Sequence, residues 1–248
     1  MEAYGAASYG DAFADVYDDW YADVSDVEAT VATLARLAGG GPVLELGIGS
    51  GRLALPLAAL GVPVWGIDAS AAMVELLRTK PGGSAIPVAL GDMADVDLST
   101  LAGAPERFAV VFVAFNTFFN LVEEAAQRRC LDRARAVLGP GGRLVIEAFV
   151  PDTEAPSGGI ELRRMNAEHV VLSVSRRSAA DPVVHGEHLE INEHGIRRRP
   201  WIVRFASPEH IDAMAADAGL RLVERWAGWS GEPYSDDAPA HVSVYVPR

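Results

Sequence analysis

The sequence is poor in cysteine and lysine. Cys130 is the only cysteine among 248 residues, which excludes an intrachain disulfide and a cysteine-based metal cluster. Lys80 is the only lysine, and 34 acidic side chains against 21 basic ones leave a formal net charge of −13. Because contacts to phosphate need clustered cations, this charge argues against a nucleic acid or an anionic membrane as partner. We therefore expect a small-molecule substrate.

Long hydrophobic runs are also missing. No apolar run approaches the roughly 20 residues that span a bilayer, and Met1 is not followed by the charged, apolar and small-residue pattern of a signal peptide. Half of the residues are nevertheless hydrophobic, which is enough for one large core. The sequence predicts a single cytoplasmic α/β domain with an elaboration.

A glycine-rich turn between two apolar runs is the most informative motif. It has the spacing Glu45-x-Gly47-x-Gly49-x-Gly51, and Asp68 ends the second apolar run about twenty residues later. This is the layout of a nucleotide-binding βαβ unit. Glycines let the backbone approach a ligand, and the acid can accept hydrogen bonds from two ribose hydroxyls. The motif predicts a cofactor that contains adenosine.

The spacing differs from the Gly-x-Gly-x-x-Gly of dinucleotide-binding folds, and an anionic Glu45 would repel a pyrophosphate but suit a cationic ligand. A short-chain dehydrogenase would also need a Tyr-x3-Lys pair, and Leu76 stands four residues before Lys80. The segment 45–52 resembles motif I of class I S-adenosylmethionine (SAM)-dependent methyltransferases. This resemblance implies a Rossmann-like sheet and SAM as cofactor, bound by Glu45, Gly47, Gly49, Gly51, Arg52, Asp68 and Ala69.

Further along, Gly91, Asp92 and Met93 follow a predicted strand over residues 86–90. They resemble the adenine site of the same family, in which the acid binds the exocyclic amine and the next residue frames the ring. The resemblance implies that Asp92 and Met93 bind the cofactor. The alternative is that Asp92 only caps a turn.

The N-terminal segment is rich in aromatic residues. Phe13, Tyr17, Trp20 and Tyr21 recur at helical spacing, which predicts one aromatic helix face. Such a face could pack the N-terminus onto the domain, or it could form a lid that closes over a sulfonium through hydrogen bonds and cation–π attraction. Tyr9 and Tyr17-Asp18 also resemble a Tyr-x7-Tyr-Asp segment of small-molecule methyltransferases. That likeness implies that Tyr9 and Tyr17 contact the cofactor or the acceptor.

Residues 108–114 form a continuous apolar run, which is typical of a central parallel strand. Ligands of open α/β sheets bind beyond the carboxyl ends of the strands, so the residues after this run should face the reacting groups. We expect Phe115 at the cofactor, Asn116 at the methionyl end of the cofactor or at the acceptor, and Phe118 as a wall of the acceptor site. The alternative is an aromatic loop that seals the core.

From residue 151 the pattern changes to alternation, over residues 160–164, 169–177, 183–192 and 195–205. This predicts an antiparallel β insertion after the fifth strand, as a cap over the acceptor. We expect no metal at its histidines, since positions three apart on a strand face opposite ways and methyl transfer needs no metal. The predicted organisation is a helical lid (1–38), a SAM-binding core (39–150), the insertion (151–206) and a completion of the core sheet (207–248).

The acceptor is less constrained. A hydroxyl acceptor usually needs a general base, whereas an amine needs only a free lone pair. No histidine lies near the predicted strand ends of the core, which favours an amine. The whole plan resembles antibiotic-tailoring N-methyltransferases of amino sugars or lincosamides. An O-methyltransferase and a non-catalytic SAM-binding module stay open as alternatives, as does a homo-oligomer.

Overall fold

Two β-sheets organise the chain. The computed structural model describes residues 4–22, 25–95, 101–152, 157–178 and 180–248. The central sheet has seven strands, which are β1 (Val43–Leu46), β2 (Val64–Asp68), β3 (Val88–Leu90), β4 (Phe108–Val113), β5 (Leu138–Phe149), β10 (Leu220–Trp226) and β11 (Ala240–Pro247). The second sheet has four, which are β6 (Gly158–Met165), β7 (His169–Arg177), β8 (Val183–Asn192) and β9 (Gly195–Arg204).

The central sheet has the strand order β10-β11-β5-β4-β1-β2-β3. Its first five strands pair in parallel, and β11 runs antiparallel to both β5 and β10. The order places β1 between β2 and β4, so the chain changes direction across the sheet at β1, where open α/β sheets bind ligands. The predicted Rossmann-like methyltransferase fold is confirmed.

Seven α-helices accompany the sheets in the part of the chain that is described. They are α1 (Ser8–Phe13), α2 (Tyr17–Trp20), α3 (Val27–Ala38), α4 (Ala54–Ala59), α5 (Ala71–Thr79), α6 (Glu124–Val137) and α7 (Pro208–Asp217). The side chain of Ser70 accepts a hydrogen bond from the Met73 amide and caps α5, and Ser207 caps α7 in the same way. No described helix is long and apolar enough to cross a membrane.

The core lies on both faces of the central sheet. One cluster of buried side chains packs between the sheet and α6 and α7, and the other between the sheet and α3 and α4. Strand β4 contributes to both, because Val111 and Phe112 point to opposite faces and are each fully buried. Its continuous apolar sequence is what a strand covered on both sides requires.

The second sheet is the predicted antiparallel insertion, with the order β6-β7-β8-β9. Strand β9 packs on α1 and on the short 3₁₀ turn Thr117–Asn120. The sheet thus lies over the end of β4 and next to the N-terminal segment. The segment boundaries given above stay predictions.

The prediction of one aromatic N-terminal helix is corrected, because α1 and α2 are separate. The carbonyl of Ala12 accepts a hydrogen bond from Arg199 Nη1 (2.6 Å), and the Val16 amide binds the Phe13 carbonyl instead of continuing the helix. Asp15, in the turn between the helices, pairs with the same guanidinium. A distant arginine therefore breaks the helix that the local spacing predicts.

Candidate active site

A cavity of about 620 Å³ of empty space lies at the carboxyl ends of β1, β2 and β3. Its floor is the glycine turn after β1, and its roof is the N-terminal segment. The turn requires glycine, since Gly47 (φ +75°) and Gly49 (φ +54°) adopt the left-handed conformation. A Cβ on Gly47 would also collide with the Thr117 methyl group. Gly51 does not line the cavity. It packs against α5 instead, where a Cβ on Gly51 would collide with the Leu77 side chain.

Asp68 lies at the end of β2 with both carboxylate oxygens oriented. Oδ2 accepts a hydrogen bond from the Gly49 amide (2.7 Å), and Oδ1 accepts one from the Ser70 amide (2.8 Å). Burial raises the pKa of this carboxyl, and the two amide hydrogen bonds oppose that rise. Each oxygen keeps a lone pair for a further donor. Asp68 is therefore placed to bind a ligand's hydroxyl pair, and Ala69 beside it also lines the cavity.

Glu45 lies one layer behind the cavity lining, at the end of β1. It is 5% exposed, and its Oε2 has no hydrogen-bond partner among the described residues. Burial raises the pKa of Glu45 well above its usual range, while nearby Arg52 lowers it. Arg52 binds the Ser25 hydroxyl and lies 5.2 Å from the centroid of the Phe115 ring. The structure thus brings Glu45, Arg52 and Phe115 together beside the cavity and not in its wall.

The opposite end of the cavity is lined by Gly91, Asp92 and Met93, after β3. Asp92 Oδ1 accepts a hydrogen bond from the Ala94 amide (2.8 Å), so this side chain does cap a turn. Asp92 lines the cavity as well, so its role as a turn cap is compatible with the predicted role in binding the cofactor. Met93 is 8% exposed and presents an apolar surface suited to a planar ring.

The N-terminal segment is fastened across the glycine turn by two acids. Asp11 accepts a hydrogen bond from Ser70 Oγ (2.6 Å). Asp18 accepts one from Ser50 Oγ (2.6 Å) and pairs with Lys80 Nζ (2.7 Å). These contacts hold Tyr9 and Tyr17 in the cavity wall. The lid reading stays a prediction, but its two tyrosines do face the predicted cofactor site.

The tyrosines of the lid are linked to one another. Tyr9 Oη donates a hydrogen bond to Tyr21 Oη (3.1 Å), and the Tyr17 and Tyr21 rings lie 4.8 Å apart. Burial raises the pKa of Tyr17 to about 12 and that of Tyr9 well above its ordinary value. Both phenols therefore stay protonated near neutral pH. Phe13 stacks on Tyr9 at 4.6 Å and meets the His188 ring at 5.4 Å.

The two residues that were predicted after β4 at the reacting groups, Asn116 and Phe118, do not line the cavity either. Phe118 is fully buried in the core, so the prediction that it walls the acceptor is corrected. Asn116 has a left-handed backbone (φ +65°), and its Oδ1 accepts a hydrogen bond from the Phe149 amide (2.7 Å), which fastens the β4 exit to β5. The cavity is lined instead by the neighbouring residues Thr117, Asn120 and Leu121. The 3₁₀ turn directs the apolar ring of Phe118 into the core and leaves Thr117 and Asn120 at the cavity.

Sequence reasoning missed the role of Arg199. Its guanidinium is 1% exposed and pairs with Asp15 (2.6 Å) and with Glu190 (2.8 Å), and it lies over the Trp20 ring at 5.2 Å. In the sequence it is one of three consecutive arginines, Arg197 to Arg199, with nothing local to distinguish it. Among the described residues, no group of three or more candidate ligands could hold a metal ion.

The comparisons with known proteins agree with this site. Residues 43–142 match a family model described as a methyltransferase domain. The structure of the CcbJ methyltransferase from Streptomyces caelestis is similar, with 37% identity and a TM-score of 0.89 over 98% of this chain and 99% of that one. CalS10 from Micromonospora echinaspora, a SAM-bound amino pentose methyltransferase involved in calicheamicin biosynthesis, is 25% identical, with a TM-score of 0.69 over 94% of this chain and 97% of that one.

A further relative is the cypemycin N-terminal methyltransferase of a Streptomyces species, which is 26% identical over 200 residues, or 79% of each chain. The fold, the glycine turn after β1 and the paired oxygens of Asp68 fit a SAM site, and the likeness to CcbJ covers nearly both chains. The chain therefore belongs to the class I SAM-dependent methyltransferases.

Proposed function

We propose that this enzyme methylates an amine nitrogen of a small molecule, such as an amino sugar or a lincosamide precursor in the biosynthesis of an antibiotic. The observation that carries the proposal is the chemistry of the cavity wall. It contains phenols and carboxylates, and in the described part of the chain it contains no histidine, lysine or arginine.

SAM, when bound, supplies a methyl group on a positively charged sulfur. The residues around it need to align an acceptor and exclude water, and a hydroxyl acceptor needs in addition a group that takes its proton. Tyr9 and Tyr17 are poor candidates for that task, because their raised pKa keeps them protonated near pH 7. Asp68 is oriented by two backbone amides, and its remaining lone pairs would bind the hydroxyl pair of the cofactor and not the acceptor. An acceptor that arrives with a free lone pair fits this wall best.

Charge points the same way. Asp68 and Asp92 line the cavity. Carboxylates in a cleft attract cations and repel anions. The cleft would therefore concentrate an amine in its cationic form and exclude anionic acceptors, and the amine would give its proton to solvent water before its freed lone pair meets the methyl group.

Two relatives support the amine. CalS10 acts on an amino pentose, and the cypemycin enzyme acts on an N-terminus. These substrates differ in size, but each name is compatible with a nitrogen acceptor. The lincosamide and amino-sugar candidates come from the resemblance noted in the sequence.

O-methylation is the second candidate, and His188 of β8 is the observation that favours it. Its Nδ1 is buried without a hydrogen-bond partner among the described residues, and burial lowers its pKa to about 4, so it is neutral at pH 7. A neutral histidine can accept a proton. Phe13 packs between His188 and Tyr9, however, which separates the imidazole from the cavity.

The test uses acceptors that each offer both an amine nitrogen and a hydroxyl oxygen. The purified enzyme is incubated with SAM carrying a deuterated methyl group and with a panel of amino sugars and N-demethyl lincosamides, and mass spectrometry with NMR locates the label. We expect the label on nitrogen and no transfer to the matched N-acetyl compounds. Label on oxygen that disappears in His188→Gln would establish the second candidate instead. Wild-type transfer to nitrogen in His188→Gln would exclude that histidine as the base.

A further inference from the structure

One phenol of the N-terminal segment has hydrogen-bonding capacity that no described residue uses. A phenol oxygen can accept two hydrogen bonds and donate one. Tyr21 Oη accepts the hydrogen bond of Tyr9 Oη (3.1 Å) and makes no other hydrogen bond to the described part of the chain. Its proton and one lone pair are therefore free for a ligand. The side chain is partly exposed, so a ligand can reach it.

The direction of this hydrogen bond leaves the proton of Tyr21 available. Burial, with Tyr21 as a smaller cause, raises the pKa of Tyr9 well above its ordinary value. Burial also raises the pKa of Tyr21, although the hydrogen bond from Tyr9 and the nearby Arg163 oppose that rise. Both phenols are thus protonated near neutral pH. Because the proton of Tyr9 occupies the bond between them, the proton of Tyr21 points elsewhere.

Tyr21 lies between the cofactor cavity and the second sheet. Its ring centroid is 4.8 Å from that of Tyr17 in the cavity wall and 5.8 Å from that of Phe115 after β4. On the other side is Arg163 of β6, a strand that is exposed along nearly its whole length. The glycine turn and the segment after β3 close two other sides of the cavity. A small molecule that approaches along β6 therefore meets Tyr21 at the edge of the cavity.

The residues next to Tyr21 hold it in place from two sides. Asp18 is fastened to the core by the contacts described above. Asp19 accepts a hydrogen bond from Arg164 Nη1 of β6 (2.6 Å). The Tyr21 amide donates to the Tyr17 carbonyl (2.9 Å) and closes the last turn of α2. A phenol that is fixed in this way can orient a ligand, because little freedom is lost when the ligand binds.

The two free positions on Tyr21 Oη define the ligand that fits them. The lone pair can accept a hydrogen bond from an amine N–H, and the proton can be donated to a second ligand atom, such as an oxygen. Because both positions belong to one atom, the amine nitrogen and the ligand oxygen must be close together in the ligand. This arrangement occurs where two carbon atoms separate nitrogen from oxygen, as in a vicinal amino alcohol or an α-amino amide.

We propose that Tyr21 contacts the acceptor and selects an amine whose nitrogen is separated by two carbons from a hydroxyl or carbonyl oxygen. This inference rests on the proposed function, which supplies the amine, and it adds the neighbouring oxygen and the residue that recognises it. Two hydrogen bonds to one phenol orient the nitrogen, so that its lone pair can be aligned with the methyl group. Tyr21 takes up no proton, and the methylated nitrogen releases its proton to water.

The test compares acceptors that differ in one oxygen. The first pair is a methyl glycoside of an amino pentose and its analogue without the hydroxyl next to the amine, and the second pair is prolinamide and 2-methylpyrrolidine. Mass spectrometry measures kcat/KM for methylation of each. We expect the wild type to prefer the oxygen-bearing member, and Tyr21→Phe to lower that preference about tenfold, the effect of one hydrogen bond. Differences in amine basicity cancel between wild type and variant.

Two further readouts separate recognition from a structural role. The affinity for SAM, measured by calorimetry, should be unchanged in Tyr21→Phe, because the ring and its packing remain. The control is Tyr4→Phe, which removes a phenol of the same segment that accepts a hydrogen bond from the Ile202 amide (3.1 Å), and it should keep the wild-type preference. A merely structural role of Tyr21 would lower the rates for both members of a pair equally.

Circular dichroism verifies that each variant is folded. If Tyr21→Phe does not fold, Tyr9→Phe replaces it, because it leaves the Tyr21 hydroxyl without its partner and should lower the preference in the same direction. An unchanged preference in the folded variant would overturn the inference and leave the proposed function intact. So would wild-type transfer to an amine of the earlier panel but to neither oxygen-bearing probe. No label on nitrogen in any of these compounds would overturn the proposed function, and this inference with it.

Discussion

The central sheet and the second sheet differ in how their apolar side chains are covered. Helices cover both faces of the central sheet, so nearly every side chain of β4 is buried. The second sheet turns its charged face toward the protein and its aliphatic face outward. A half-buried antiparallel sheet ordinarily does the reverse. The difference teaches that strand alternation identifies an apolar face but not what covers it.

The inversion has a cause in the N-terminal segment, which is acidic. Asp15 and Asp19 face the second sheet. They form ion pairs with Arg197, Arg199 and Arg164 on the face of that sheet that contacts the N-terminal segment. Those pairs hold the segment that carries Tyr9 and Tyr17 over the cavity. The charged face is therefore tied to the active site, and the aliphatic face of the second sheet stays exposed.

The largest expected effect contrasts one isoleucine from each sheet. Ile146 of β5 is fully buried, and Ile146→Ala should cost about 2–5 kcal/mol of the free energy of unfolding through the cavity it leaves. Ile160→Ala, at 72% exposure, should cost less than about 0.5 kcal/mol in the monomer. Urea unfolding at low protein concentration measures both. Equal losses would show that another part of the same chain covers Ile160. The two sheets would then not differ in how their apolar side chains are covered.

The next effect tests whether cofactor binding belongs to the central sheet. Asp68→Ala removes the carboxylate that Gly49 and Ser70 orient, and it should weaken SAM by about 1.5–3 kcal/mol, the range of hydrogen bonds to charged groups. Calorimetric titration with SAM measures this loss. The matched control is Glu193→Ala in the β8–β9 turn, an exposed acid of the second sheet, which should leave the affinity unchanged. Unaltered binding by the Asp68 variant would contradict the assignment of the site.

The third effect, which depends on pH, compares a histidine in each sheet. Burial, reinforced by Arg225, lowers the pKa of His241 on β11 from 6.5 to about 4. Below pH 6.5 His241 binds a proton in the unfolded chain but not in the folded chain. The folded state therefore loses stability as the pH falls toward 4. For a group as buried as His241 this amounts to at most about 3 kcal/mol across that window.

His241→Gln should therefore flatten the pH dependence of urea unfolding between pH 7 and pH 4.5. His188→Gln, in the second sheet, should flatten it less, because that side chain is only partly buried although its pKa is also lowered to about 4. A larger effect at His188 would mean that the second sheet excludes water better than the central one.

Much of the fold and of the cofactor site could be predicted because short-range patterns specify them. The continuous run 108–113 is typical of a strand covered on both sides, and Ser70 lies where a helix needs a cap. The glycine spacing reflects the backbone conformation of one turn, and the position of Asp68 reflects the parallel pairing of β1 with β2. Both lie within one βαβ unit, so a short stretch of sequence specifies them. From these features the sequence by itself determined the fold class and a cofactor that contains adenosine, whereas the family and SAM came from a resemblance that the comparisons confirm.

Other features depend on partners far away in the chain, and only the tertiary structure decided them. Arg199 and Asp15 are 184 residues apart, and their ion pair ends α1 and turns the charged face of the second sheet inward. Phe118 pointed into the core instead of the cavity because the turn after β4 is fastened to β5 by Asn116. The physical reason is common to both: a local pattern states which side chains share a face, but the direction of that face follows from which distant surface can pair its charges or bury its apolar groups.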